Sequence, residues 1–371
     1  MIKPIRVISF LILISFILQI SAQEIQFGDN KKEPLTDGPY IFWKESEAVV
    51  KYILEDNLVN KSFNLADDET MVFSLDGLEG EFEISRKEKL PEPYIFSNVT
   101  KIFALSDVHG QFDRMVQILQ NNDIIDADNN WNWQNGHLVI LGDVFDRGPK
   151  VTESLWLIHK LEKQAEETNG KVHFTLGNHE VMVLQGDERY VHDRYKEIAE
   201  KFKMTIPELY GADTEFGRWL RTKNTVIKIN DMLFCHAGIN PELWQKDYSM
   251  NDINNLIRNN LDLPKDKIKE QENLKLLFGN KGPLWYRGYF TDSDYYDQIT
   301  QQNLWSLLDS LAVSRIIVGH TTQDFINPFF KDRIIPIDSG IKYGDHGEGL
   351  LWEDGIFYRA KVNGERERVV F

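Results

Sequence analysis

The sequence predicts an α/β fold, and two observations support this class. From about residue 98 onward, apolar runs of strand length alternate with segments of helical periodicity. Each of these apolar runs ends in a cluster of Gly, Asp, Asn or His residues. The composition, 42% hydrophobic and 27% charged, is typical of a folded globular chain. Because ligands of such sheets bind beyond the carboxyl ends of the strands, the polar clusters mark the predicted site.

The first 22 residues have the layout of a secretory signal peptide. Lys3 and Arg6 precede an apolar run of about 14 residues at 7–20, and small residues follow at 21–23. The alternative is a retained membrane anchor, but a spanning helix needs about 20 apolar residues. We therefore expect cleavage after Ala22 and a secreted or periplasmic protein without stable membrane association.

Residues 23–97 are predicted to form a small β-rich accessory segment. Short apolar runs at 40–43, 71–75 and 82–84 have the character of strands and are separated by Gly and Asp. A Leu-Pro-Glu-Pro stretch at 90–93 is typical of a linker. The catalytic domain is therefore expected to occupy residues 98–371.

The charge and the cysteine count exclude several classes of function. The formal net charge is −16, and losing Lys3 and Arg6 with the signal segment makes it −18. Such an acidic surface disfavours nucleic acid and anionic membranes as partners. A phosphate-bearing substrate would need a local positive centre, which bound cations supply. The single cysteine, Cys235, excludes an intramolecular disulfide and is predicted to be a buried small apolar side chain.

Five predicted strands each lead into a polar loop. The pairs are Lys101–Leu105 with loop 106–110, His137–Leu141 with loop 142–148, Val172–Leu176 with loop 177–180, Met232–Cys235 with loop 236–238, and Arg315–Val318 with loop 319–321. Helices are predicted from about Phe112 and Val151, and short strands near the end of the chain at 349–352 and 356–361.

Six side chains in these loops are predicted to hold two metal ions: Asp107, His109, Asp143, Asn178, His236 and His320. Asp107 and His109 are two residues apart, which places both side chains on one side of an extended backbone. A carboxylate such as Asp143 can bridge two cations about 3.5–4 Å apart. Mixed nitrogen and oxygen ligands suit Mn, Fe and Zn alike. A hydroxide held between the cations is the expected nucleophile.

Four further residues are predicted to act on a phosphate group. His179 follows Asn178 directly, so we expect it to protonate the leaving oxygen, with Asp146 orienting its ring. Arg147 can grip phosphate oxygens with two parallel hydrogen bonds. Arg287, which is flanked by aromatic residues, is the second candidate clamp, and a structural ion pair is its alternative role.

These loops resemble the calcineurin-like metallophosphoesterases, and more narrowly the phosphoprotein phosphatases. The signature reads SDVHG at 106–110, GDVFDRG at 142–148, GNHE at 177–180, HAG at 236–238 and GHT at 319–321. One departure is Ser106, where the first motif usually has Gly, and a small backbone adjustment is expected there. The PLWYRG stretch at 283–288 resembles the Shewanella-like bacterial branch.

The resemblance implies a calcineurin-like four-layer α/β/β/α sandwich. It also implies that Asp107, His109 and Asp143 hold one metal, and that Asp143, Asn178, His236 and His320 hold the other. His179 and Asp146 match the family's acid pair, and Arg147 matches its phosphate-binding arginine. Members of the Shewanella-like branch often prefer phosphotyrosine, which implies a phosphatase acting on phosphorylated proteins or on small phosphoesters.

Two other functions compete with a protein phosphatase. The same centre could hydrolyse dinucleoside polyphosphates or nucleotides, and Trp285, Tyr286 and Tyr289 are the candidates for stacking on a base. A non-catalytic binding module is disfavoured, because every predicted ligand and both members of the acid pair are present.

Overall fold

Sixteen strands form four sheets in the computed structural model, which describes residues 33–291, 296 and 298–370. The predicted signal peptide at 1–22 lies outside the described residues. The strands are β1 Asp37–Lys44, β2 Glu47–Leu54, β3 Asn57–Asn64, β4 Thr70–Phe73, β5 Phe82–Ser85, β6 Ile95–Phe96, β7 Lys101–Leu105, β8 His137–Ile140, β9 Lys171–Phe174, β10 Val226–Ile229, β11 Met232–Cys235, β12 Arg315–Val318, β13 Ile334–Pro336, β14 Glu348–Glu353, β15 Ile356–Lys361 and β16 Arg366–Arg368.

Helices connect and cover these sheets. In the described part of the chain they are α1 Phe112–Asn121, α2 Val151–Glu167, α3 Asn178–Leu184, α4 Asp193–Phe202, α5 Ile206–Leu209, α6 Glu215–Leu220, α7 Pro241–Gln245, α8 Met250–Arg258, α9 Lys265–Lys269, α10 Glu272–Phe278 and α11 Gln301–Leu311, with a 3₁₀ turn at Ile341–Tyr343. The described residues from Leu35 onward belong to one compact unit. Among the described residues, no helix has both the length and the apolar character needed to cross a bilayer.

Two large sheets form the centre of the fold. The first has the strand order β16-β15-β14-β7-β8-β9, and the second has the order β13-β12-β11-β10-β6. Strands β7, β8 and β9 run parallel to one another, and β11, β12 and β13 do so in the second sheet. Loops that follow neighbouring parallel strands therefore leave each sheet at the same edge.

Alternation of side chains along the strands explains the layers. In β7, Ile102 and Ala104 lie in the apolar layer between the two sheets, whereas Phe103 and Leu105 pack with the helices on the outer face. Every second residue points to the same face of a strand, so a strand that is apolar throughout must be covered on both faces. The result is the predicted four-layer α/β/β/α sandwich, which is confirmed.

Strand β11 shows the same alternation at its carboxyl end. Phe234 faces the other sheet, and Cys235 lies in the outer apolar cluster, fully buried. Burial raises the pKa of the Cys235 thiol. The side chain is therefore an apolar packing element, as predicted.

The β-rich segment before the catalytic motifs contains a three-stranded antiparallel sheet in the order β1-β2-β3 and the hairpin β4-β5. It packs against α2: the Tyr40 hydroxyl lies 2.9 Å from Thr152 Oγ1, and Trp156 Nε1 donates to the carbonyl of Pro39 at 3.0 Å. Strands β2 and β3 were not among the predicted runs. Five of the eight residues in β3 are exposed, so the apolar alternation that identifies a strand is weak there.

Candidate metal centre

Five loops meet at the carboxyl ends of β7, β8, β9, β11 and β12. Their backbones are bonded to one another across large sequence separations. His109 N donates to the carbonyl of Asp143 at 2.9 Å, and Gly319 N donates to the carbonyl of His236 at 2.8 Å. Because the loops hold each other, side chains from both sheets are brought to one place.

Unusual backbone conformations aim these side chains. Positive φ angles occur at six of the ten predicted site residues: Asp107 (53°), His109 (46°), Asp143 (56°), Asp146 (70°), Arg147 (64°) and His320 (62°). A backbone with positive φ at a non-glycine residue is about 1–2 kcal/mol less stable than the common conformations. Such strain persists only where surrounding contacts impose it, and it is typical of functional sites.

Asp143 occupies the middle of the cluster. Its Oδ2 atom lies 3.3 Å from His236 Nε2, 3.6 Å from His109 Nε2 and 3.8 Å from His179 Nε2. Its Oδ1 atom accepts a hydrogen bond from the backbone N–H of His179 at 2.9 Å. The carboxylate therefore faces two groups of ligating atoms at once, which is the geometry of a bridging ligand.

The remaining predicted ligands lie on either side of Asp143. His236 Nε2 is 3.0 Å from Asn178 Oδ1 and 3.2 Å from His320 Nδ1. On the other side, Asp107 Oδ1 is 3.9 Å from His109 Nε2. Asp107 and the three imidazoles named here are buried, as are Asn178 and Asp143. The structure therefore brings all six predicted ligands together.

The hydrogen bonds of the imidazoles leave their free nitrogens directed into the cluster. His109 Nδ1 is 2.7 Å from the carbonyl of Phe145, and His236 Nδ1 is 2.8 Å from the carbonyl of Leu141. Each Nδ1 must be the donor in these pairs, which leaves the lone pair on Nε2. His320 instead turns its Nδ1 atom toward the cluster, 3.2 Å from His236 Nε2. Ring nitrogens that converge beside carboxylates fit bound cations.

The pKa shifts of the clustered side chains also fit bound cations. Burial, followed by the charge of Asp338, raises the pKa of Asp107 to about 7. Burial lowers the pKa of His109 to about 3. Burial also opposes a charge on His236, yet the neighbouring Asp143 carboxylate raises the pKa of His236 to about 9. These carboxylates attract positive charge into the site, and a metal ion would take the place of a proton there.

His179 and Asp146 form a pair at the edge of the cluster. His179 Nδ1 lies 2.6 Å from Asp146 Oδ2, and both side chains are buried. Burial disfavours the charged imidazole, but Asp143 and Asp146 together raise the pKa of His179 above its usual value. By distance alone, His179 Nε2 could also contact a metal ion, because it belongs to a group of ligating atoms with His109 and Asp143.

The two predicted phosphate arginines differ in their surroundings. Arg147 is exposed, and its guanidinium carbon lies 4.8 Å from the ring centre of Tyr190. Arg287 is half-buried and donates to the carbonyl of His320 at 3.0 Å and to Thr321 Oγ1 at 3.2 Å. Arg147 is therefore open to a substrate, whereas Arg287 also supports the loop that carries His320.

The aromatic stretch near Arg287 divides between the core and the site. Tyr286 and Tyr289 are each 1% exposed, and the Tyr289 hydroxyl bonds both the N–H and the carbonyl of Ile239. Trp285 is only half-buried, and its ring centre is 5.7 Å from that of His320. Only Trp285 of these three is placed to contact a substrate.

Glu180 is a residue of the site that the sequence reasoning missed. Its carboxylate is fully buried and accepts four backbone hydrogen bonds, from Gly177 (2.7 Å), Asp143 (2.9 Å), Val144 (2.8 Å) and Phe145 (3.2 Å). It therefore fixes the loop that carries Asp143 to the start of α3. The sequence signal was its place in the GNHE motif, where an acidic residue also suits the first turn of a helix.

Replacing Glu180 by Gln should loosen this loop. The amide offers one acceptor oxygen and places an NH₂ group against backbone N–H donors, so we expect a loss of about 2–4 kcal/mol in unfolding free energy. Metal affinity should fall by about 10- to 100-fold, as for other groups that support a ligand. Denaturant unfolding and metal titration measure both effects. Glu200→Gln, on the exposed surface of α4, is the matched control and should change neither.

Gly319 makes room for Ser106, which stands where the family motif usually has Gly. The Ser106 side chain is buried, and a Cβ placed on Gly319 would lie 2.6 Å from Ser106 Oγ and 2.6 Å from Asp107 Oδ2. The serine therefore fits because the residue opposite it lacks a side chain. Gly319 also lets the His320 loop approach Asp107.

Comparison with known proteins agrees with this geometry. Residues 100–324 match the profile of the family described as calcineurin-like phosphoesterases. The chain is 30% identical over 266 residues to Shewanella-like protein phosphatase 1 of Plasmodium berghei, covering 69% of this chain and 72% of that protein. It is 25% identical over 293 residues to Shewanella-like protein phosphatase 2 of Arabidopsis thaliana, covering 67% and 73%.

A solved structure is also similar over nearly the whole chain. It is the crystal structure of a cold-active protein-tyrosine phosphatase from a psychrophilic Shewanella species, with 39% identity and a TM-score of 0.85. The match covers 91% of this chain and 100% of that one. The likeness therefore includes the β-rich segment as well as the two central sheets.

Proposed function

Because the chain belongs to the calcineurin-like phosphoesterase family, we propose that it removes phosphate from phosphorylated proteins and prefers phosphotyrosine. One observation carries this proposal: a single buried cluster contains six ligating side chains, with the His179–Asp146 pair beside it and Arg147 at its rim. Bound cations in such a site neutralise phosphate charge and make a water molecule acidic enough to attack near neutral pH.

We assign the six ligands to two positions that share Asp143. The first position is formed by Asp107, His109 and Asp143, and the second by Asp143, Asn178, His236 and His320. Both sets mix imidazole nitrogens with carboxylate or amide oxygens, which Mn, Fe and Zn all accept. Assays therefore need each of these metals in turn.

His179 and Asp146 hold the proton that the leaving oxygen requires. In the protonated ring, Nδ1–H donates to Asp146 at 2.6 Å, and the second proton, on Nε2, is the one that can pass to the leaving oxygen. We leave His179 out of the ligand set because an Nε2 atom that bound a metal could not carry the proton needed when the ester bond breaks. Arg147 orients the phosphate through its exposed guanidinium, which is held over the Tyr190 ring.

A groove beside Asn178 supports a preference for an aromatic phosphate ester. We call it the α3 groove; it has a volume of about 570 Å³, and Val181, Met182, Phe278 and Trp285 are among its lining residues. Apolar and aromatic walls next to a phosphate site suit the ring of phosphotyrosine. A larger cavity of about 820 Å³, between the β4-β5 hairpin and α2, contains none of the ten predicted site residues.

The alternative activity on dinucleoside polyphosphates has weaker support from the structure. It relied on Tyr286 and Tyr289 as well as Trp285 for stacking on a base, and both tyrosines are buried in the core. Two stacking surfaces are therefore lost.

A substrate panel tests the proposal. Protein loaded with Mn, Fe or Zn is assayed on peptides of one sequence carrying phosphotyrosine or phosphoserine, and on diadenosine tetraphosphate. We expect the highest kcat/KM for phosphotyrosine peptide. A higher value for the tetraphosphate would contradict the proposal, and a higher value for phosphoserine would contradict the preference for tyrosine.

A further inference from the structure

The α3 groove shares one residue with the metal centre, Asn178, and follows one face of a helix. Asn178, Val181, Met182 and Gln185 all line it. Residues spaced by three and four positions share one face of an α-helix, so these side chains form a continuous stripe. Seven residues at 1.5 Å each make this stripe about 10 Å long. The groove therefore leads away from the centre for about three residues of an extended peptide.

Basic side chains also line this groove. Lys265 and Lys269 are one helical turn apart on α9, Lys275 lies on α10, and all three are exposed. Arg189 also lines the groove, but its guanidinium is bonded to Asp187 at 2.7 and 2.8 Å. The lining therefore carries four basic side chains and one carboxylate, Asp187, in a chain whose formal net charge is −16.

These lysines are largely free to meet a substrate. Lys265 Nζ is 3.4 Å from Asp187 Oδ2, an atom that Arg189 already contacts. Lys275 Nζ is 3.4 Å from the exposed Glu272. Exposed pairs of this kind are weak, so an incoming acidic group can replace them at little cost.

We propose that the α3 groove selects phosphorylated peptides that carry acidic residues within about three positions of the phosphorylated residue. Lys265, Lys269 and Lys275 would contact the acidic side chains while the apolar floor holds the peptide beside Asn178. This inference rests on the proposed phosphatase function and adds the substrate class. Charge complementarity of this kind acts on association and specificity more than on the chemical step.

The test uses the full chain and three phosphotyrosine peptides. One has three Glu residues before the phosphotyrosine, one has three Glu residues after it, and one has Gln at all six positions. For the wild type, kcat/KM for at least one acidic peptide should exceed that for the neutral peptide by about 3- to 10-fold, as expected for a few exposed charge pairs. The difference should shrink as ionic strength rises.

The triple variant Lys265→Gln, Lys269→Gln, Lys275→Gln should lose this preference. Its turnover of p-nitrophenyl phosphate, which is too small to reach the lysines, should equal that of the wild type. The matched control replaces Lys61, Lys196 and Lys361 by Gln; these lysines pair with acidic residues elsewhere on the surface. It makes the same change in net charge and should keep the preference.

Equal kcat/KM values for acidic and neutral peptides in the wild type would overturn this inference but not the proposed function. A preference for acidic peptides that survives in the triple variant would have the same consequence. If the triple variant instead lost turnover only on diadenosine tetraphosphate, the lysines would serve a polyphosphate, which also overturns it. A wild type that cleaves neither p-nitrophenyl phosphate nor any peptide would overturn the proposed function, and this inference with it.

Discussion

Replacing Asp143 by Asn should reduce phosphatase turnover by at least about 10³-fold, since it removes several kcal/mol of transition-state stabilisation. The Asp143 carboxylate lies within 4 Å of the Nε2 atoms of His109, His179 and His236. Asparagine keeps the size of the side chain but loses the negative charge that would bind both cations. The metal content of the purified variant should therefore fall together with its turnover of p-nitrophenyl phosphate.

The control for this variant is Asp309→Asn, which makes the same chemical change on the exposed face of α11. It should leave metal content and turnover unchanged. Circular dichroism and denaturant unfolding show whether the Asp143 variant is folded. A folded variant that kept wild-type turnover would contradict the role of Asp143 as the shared ligand.

Replacing His179 by Asn should have the second largest effect, and its size should depend on the leaving group. Positioned acids contribute about 10²- to 10⁴-fold to rate, and we expect a loss in this range for an alkyl phosphate, whose leaving oxygen needs a proton. For p-nitrophenyl phosphate the loss should be much smaller, because nitrophenolate leaves without one. Steady-state kinetics on both substrates measure the difference.

Metal analysis separates this role from that of a ligand. His179 Nε2 lies 3.8 Å from Asp143 Oδ2, so distance alone permits either role. If His179 only donates a proton, replacing it should leave the metal content of the protein unchanged. A fall in metal content, with equal losses on both substrates, would make His179 a ligand instead. His192→Asn, at the N-terminus of α4 and outside the cluster, is the matched control.

The central sheets were predictable because their strands are apolar throughout and end in small or polar residues. Strands β7, β11 and β12 occur with the predicted bounds. The order of the strands was not predictable, because pairing depends on contacts between distant segments. Strand β10, for example, lies between its neighbour β11 and the two-residue strand β6, which precedes it by about 130 positions.

The clustering of the six predicted ligands was predictable for a related reason. Each stands at the end of a strand in a short motif, so the sheet itself brings them together. Glu180 belongs to the same motif, but its function depends on four backbone N–H groups, three of which belong to another loop. The α3 groove combines residues near 180 with residues near 270, and periodicity within one segment carries no information about such pairs.

Metal titration of the active protein tests the central claim most directly. The protein is freed of metal with a chelator and titrated with Mn²⁺, and turnover of p-nitrophenyl phosphate is followed against the number of ions bound per chain. We expect negligible turnover without metal and full turnover when two ions are bound. Full turnover in the metal-free protein, or with only one ion per chain, would contradict a dinuclear centre formed by the six clustered ligands.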